Sequence, residues 1–135
     1  MISMNFLIDY NLNGPALILL GSLTGSGWLD LIDIRFIRFS EVELPMNSSD
    51  RQVWRFAQAN QMILLTANRS MKGKDSLEQV IREENTPTSF PVLTIANVDR
   101  LLADSNYRER CVNRLIEIAI AVSYTHLRAH ETVMN

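Results

Sequence analysis

The chain has one cysteine, four prolines, five glycines and no histidine before position 126. With Cys111 alone, an internal disulfide and a cysteine-cluster zinc site are both excluded, and a reducing, cytoplasmic compartment is expected. Without histidine in residues 1–122, a serine or cysteine nucleophile would have no imidazole base. Long apolar runs are missing too. The longest, at residues 16–20, is cut by Gly21 and Gly25, well short of the roughly 18 residues a membrane-spanning helix needs. Residues 1–5 carry no basic group ahead of an apolar stretch, so no export signal is expected. Charge of one sign is also scarce: 13 basic residues against 15 acidic ones give −2, which restricts any nucleic-acid contact to a local patch.

What is present, in 135 residues that fit one domain, is an alternation of short apolar runs with helical patterns. Asn5-Phe6-Leu7-Ile8-Asp9 reads as a buried strand, apolar on both faces and stopped by Asn11 and Asn13. Pro15 suits a first helical position, and residues 16–23 supply an apolar helix that the glycines at 21, 25 and 27 should end. Residues 34–39 suggest a strand bracketed by Pro45. Ser48-Ser49-Asp50 is a helix start, followed by Val53, Trp54, Phe56 and Ala57 on one apolar face. Met62-Ile63-Leu64-Leu65-Thr66 and Val92-Leu93-Thr94-Ile95 are two further continuous apolar strands. Asp75 or Ser76 caps the helix between them, and Asn97 caps residues 98–103. Residues 107–122 form an amphipathic helix with Val112, Leu115, Ile116, Ala119 and Ile120 on its buried face. Such an order predicts an α/β domain of three layers, a mostly parallel sheet with helices on both faces and with residues 6–9, 62–66 and 92–95 as neighbouring central strands.

Residues 123–135 depart from this pattern. They share no periodicity with the helix before them, and they hold both histidines. Ser123-Tyr124-Thr125-His126-Leu127-Arg128-Ala129-His130-Glu131-Thr132 resembles a translated sequencing adapter fused to a truncated reading frame. That resemblance implies a single domain over residues 1–122 and a tail without an evolved role. The alternatives are a genuine short tail, or helix propensity alone continuing the last helix.

In an open parallel sheet, ligands sit beyond the carboxyl ends of the strands. Asp9 and residues 66–70 fall there, and Asp50 can reach the same edge. Converging acids suit Mg²⁺ or Mn²⁺, hard cations that take oxygen ligands. The plainer role for Asp9 is capping the next turn, and for Asp50 it is helix capping. The stretch from Gly21 to Gly27 lacks the Gly-Lys-Ser/Thr ending of a phosphate loop and reads as a flexible turn. Cys111 reads as packing, and Trp54 and Phe56 as core. Arg51, Arg55, Arg69, Lys72 and Lys74 could steer a phosphate backbone, although a solvated rim explains them equally well.

Phe6-Leu7-Ile8-Asp9-Tyr10-Asn11-Leu12 resembles the opening of the short bacterial PIN-like domains. The likeness resumes at Ser49-Asp50-Arg51-Gln52-Val53 and at Met62-Ile63-Leu64-Leu65-Thr66-Ala67-Asn68-Arg69-Ser70-Met71. It covers residues 4–100 in order and spacing, and the domain it implies spans about residues 4–122. The resemblance implies a parallel sheet between helices and metal-dependent RNA cleavage, often as the toxin of a toxin–antitoxin pair. Asp9, Asp50 and Asn68 would then be the catalytic residues. The same three with Asp75 would ligate Mg²⁺ or Mn²⁺, and Asp99 is a weaker candidate. Where the family carries two further acids, this chain has Asn68 and Ser70. Two functions follow: a ribonuclease with a degenerate acidic site, or a catalytically silent module binding RNA or an antitoxin-like protein. No membrane partner is expected.

Overall fold

Four parallel strands carry the fold in a computed structural model, which describes residues 2–67 and 76–134, with side chains through Thr125. The strands are β1 (Ile2–Ile8), β2 (Ile32–Arg38), β3 (Met62–Ala67) and β4 (Val92–Ile95), in the order β2-β1-β3-β4. β1 pairs with β2 along its whole length, from Ile2 opposite Ile32 to Ile8 opposite Arg38. On its other side Asn5 meets Met62 and Ile8 meets Leu65, while β3 meets β4 from Leu64–Val92 to Ala67–Ile95. Because every pairing is parallel, all four carboxyl ends lie along one edge of the sheet.

The central strands are apolar on both faces because helices cover both. Phe6 and Ile8 of β1, Ile32 and Ile34 of β2, and Ile63 and Leu65 of β3 face one layer. That layer is α1 (Asn13–Gly25), α4 (Val98–Ala103) and α5 (Ser105–Met134). Leu7, Met62 and Leu64 face the other, made of α2 (Asp50–Ala59) and α3 (Leu77–Glu84). Val112, Leu115, Ile116 and Ala119 are all buried and dock the last helix, whereas Ile120, expected on the same face, is exposed. Each such aliphatic contributes roughly 1.5–3 kcal/mol before entropy is charged against it. Trp54 is buried and Phe56 is partly buried against the same cluster, while Cys111 lies half-buried against the α1 side.

Three expectations shift in detail. The pattern predicts β4 among the central strands, yet it forms the edge, since no other described strand lies beyond it. Its four residues are correspondingly less covered, with only Ile95 buried. Helix α1 runs through Gly21 and ends later, where Gly27 takes a left-handed φ of 84° that glycine adopts without strain. Helix α5 does not stop at residue 122; its backbone stays helical to Met134. No glycine or proline interrupts positions 105–134, and residues 127–129 are good helix formers, so propensity suffices to continue it. Among the described residues no helix is long and apolar enough to cross a membrane.

Candidate functional site at the carboxyl edge

From β1 the chain moves outward to β2, then returns across β1 to form β3. The switch in direction therefore falls between β1 and β3, where an open parallel sheet leaves its crevice. Asp9 is the first residue beyond β1 and is anchored there by its backbone. Its N–H donates to Leu65 O at 3.0 Å, and its carbonyl accepts from Leu12 N at 2.8 Å. Since Ile8 stands opposite Leu65, the next residues, Asp9 and Thr66, come side by side. The fully buried Thr66 hydroxyl donates to Asp9 Oδ2 at 2.6 Å, a short bond of the kind a charged acceptor makes. Strand alternation puts Thr66 on the same face as Met62 and Leu64, the side of α2 and α3.

Asp50 reaches this edge from that same side. Ser49 caps α2 in a reciprocal box: Gln52 N donates to Ser49 Oγ at 3.2 Å, and Ser49 N donates to Gln52 Oε1 at 2.8 Å. With that cap filled by Ser49, the Asp50 carboxylate reaches across to α3. Leu77 N donates to Asp50 Oδ2 at 3.1 Å, while Ser76 Oγ accepts from Gln79 N. Asp50 thus sits at the positive ends of two helices.

Ion pairs further along brace α2 against α3. Arg51 Nη2 lies 2.8 Å from Glu83 Oε2, Arg51 also pairs with Glu84, and Arg55 Nε donates to Glu84 Oε1 at 2.8 Å. The Gln79 amide, then Arg51, hold the Glu83 carboxyl below its usual range. Arg55 does the same for Glu84, with Arg51 adding to it. Arg51 and Arg55, candidates for steering a phosphate backbone, therefore serve the helix pair.

Asn68, Ser70 and Asp75, with Arg69, Lys72 and Lys74, lie outside the described residues. Asp99 falls in the first turn of α4, in the layer across the sheet from α2 and α3. Among the described residues no three His, Cys, Asp or Glu side chains are grouped closely enough to hold a metal. Two carboxylates are nonetheless a donor set that Mg²⁺ or Mn²⁺ accepts, because such ions keep several waters and take one or two acids. Thr66 is a residue that the sequence places at this edge without giving it a role. Its signal is a hydroxyl closing four apolar positions, one step beyond the register partner of Ile8. No family model, curated protein or solved structure matches this chain.

Proposed function

We propose that the chain is a PIN-like domain working in the cytoplasm as a divalent-metal-dependent ribonuclease, toxin-like, with a weakened acidic site. The observation that carries this reading is the Asp9 carboxylate, placed at the switch between β1 and β3 and oriented by the buried Thr66 hydroxyl. Metal-ligating carboxylates are characteristically held by such an outer partner. Asp9 and Asp50 would hold Mg²⁺ or Mn²⁺, with Asn68 and Asp75 as auxiliary ligands. A cation bound there supplies charge neutralisation at a phosphodiester and a more acidic water. Thr66 fixes the direction of the Asp9 lone pairs, and Asp50 brings a second negative charge from the start of α2. Asn68 contributes a carbonyl oxygen but no charge, so affinity is weak and cleavage slow.

The test is single-stranded RNA incubated with the chain in Mn²⁺, in Mg²⁺ and in chelator. Slow cleavage that needs the metal and disappears in Asp9→Asn, with the variant still folded in chelator, supports the reading. A second reading, a silent module that binds RNA or an antitoxin-like protein, is favoured by the Asp50–Leu77 bond, since that carboxylate already caps α3. Metal-independent RNA binding without cleavage, equal in parent and Asp9→Asn, would establish it instead.

A further inference from the structure

Edge strand β4 and helix α5 leave a half-open cavity of about 180 Å³ between them, on the α1 side of the sheet. Tyr107, Arg110, Cys111, Arg114 and Leu115 line it from α5, and their three- and four-residue spacing puts them on one side of that helix. Leu93 and Ile95 line it from β4, while Leu19 and Leu65 line it from the core. These last four all belong to the same apolar cluster, so the inner wall is hydrocarbon. The cavity exists because β4 ends the sheet: no described strand lies beyond it to bring side chains under the flank of α5.

The charged members stand at the exposed rim. Arg114 is paired with Glu117, Nη1 to Oε2 at 3.2 Å. Arg110 has no ion pair among the described residues, and its guanidinium lies 5.7 Å from the centre of the Tyr107 ring, which lines the same cavity. Burial pushes the Cys111 thiol up, against the smaller opposing pull of the Tyr107 hydroxyl and the Arg110 charge. The thiol therefore stays neutral at neutral pH, and the Arg110 charge that reaches it meets no anion there. A guanidinium at the mouth of an apolar cavity matches a ligand with an apolar body and a carboxylate head. A cavity of about 150 Å³ lined by apolar side chains admits benzene, so the body that fits here is of that size. Sites for larger ligands run to roughly 300–1,000 Å³. With four residues, β4 is also a poor template for an added strand, which favours a small molecule over a peptide.

We propose that this cavity binds a small apolar carboxylate, a benzene-sized acid whose hydrocarbon body enters between β4 and α5 while Arg110 holds its carboxylate. The site lies across the sheet from Thr66 and α2, needs no metal and does not rest on the nuclease reading. Cys111 is the one thiol of the chain, so its alkylation reports occupancy. The test is the rate of Cys111 alkylation by iodoacetamide on the full chain, followed by mass spectrometry during titration with phenylacetate, phenylacetamide, phenethylamine and acetate. Phenylacetate should protect with a Kd in the millimolar range or tighter, slowing alkylation about tenfold at about ten times that Kd. Phenylacetamide, the same body without the charge, should bind about 2- to 10-fold more weakly, the scale of an ion pair open to water on one side. Phenethylamine and acetate should protect least. Arg110→Gln should bring phenylacetate down to the level of phenylacetamide and leave the amide unchanged. Cys111→Leu fills the cavity, and in ligand-observed NMR it should lose both. Equal protection by the acid, the amide and the amine, no protection by phenylacetate at millimolar concentrations, or binding that Cys111 does not register overturns the site. The comparison on the unaltered chain decides this even if Cys111→Leu fails to fold.

Discussion

Removing the Asp50 carboxylate should destabilise the chain even when no metal is present. Asp50 Oδ2 accepts from Leu77 N at 3.1 Å and so fills one of the orphan donors at the start of α3. Loss of a capping side chain costs about 0.5–2 kcal/mol, and a charge at a helix N-terminus adds about 0.3–1 kcal/mol. Ser76 still caps the same helix, which moderates the loss. Asp50→Ala should therefore cost about 1–2 kcal/mol, a fall of some 3–8 °C in the thermal midpoint for a domain of this size. Asp50→Asn keeps an acceptor and should lose about half as much. Circular dichroism melting at neutral pH in chelator reads both. If Asp50 served only as a metal ligand, deleting it would relieve repulsion within an acidic site and raise the midpoint. An unchanged or raised midpoint for Asp50→Ala in chelator would refute the assigned contact.

Thr66→Val removes the hydroxyl bound to Asp9 while keeping the shape of a fully buried side chain. Chemical denaturation should show a loss of about 1–2 kcal/mol, below the full worth of a bond to a charged group because Asp9 keeps some water, and Mn²⁺ affinity should fall about tenfold or more. Glu83 and Glu84 have folded-state pKa values lowered from 4.5, so their stabilising effect is present above that value and is lost as pH falls through the lower folded ones. Arg51→Ala should thus destabilise at neutral pH and converge with the parent in urea melts as pH falls through those lowered values. Ending the chain at residue 122 should alter stability by less than about 1 kcal/mol, since Val122 is the last apolar side chain of α5 packed against the core among the described residues; a larger loss in the truncated chain would give the last turns a packing role.

The three-layer α/β architecture was legible because strands buried on both faces show as continuous apolar runs, and Phe6-Leu7-Ile8 and Ile63-Leu64-Leu65 are of that kind. Helix starts were legible as well, since Ser49, Ser76 and Asn97 each accept a backbone N–H in the capping position. Helix ends were less so. Gly21 lowers propensity without forbidding a helix, and α1 continues through it because Leu19 and Leu23 are buried on either side. Asp9 and Asp50 could be named from their positions after a strand and at a helix start. Their partners could not, because the bonds to Thr66 and Leu77 span 57 and 27 residues. The pairing of Arg51 and Arg55 with Glu83 and Glu84 is equally non-local, and it takes two arginines that sequence reading could equally give to phosphate.

The most direct test of a metal site at the carboxyl edge is Mn²⁺ titration of the isotope-labelled full chain, followed by paramagnetic broadening of its amide signals. Mn²⁺ should broaden the amides of Asp9, Asp50 and Thr66 first, and Asp9→Asn should abolish that selective broadening while the spectrum stays folded. Broadening that begins elsewhere, or that is the same in Asp9→Asn, would contradict a metal held between Asp9 and Asp50.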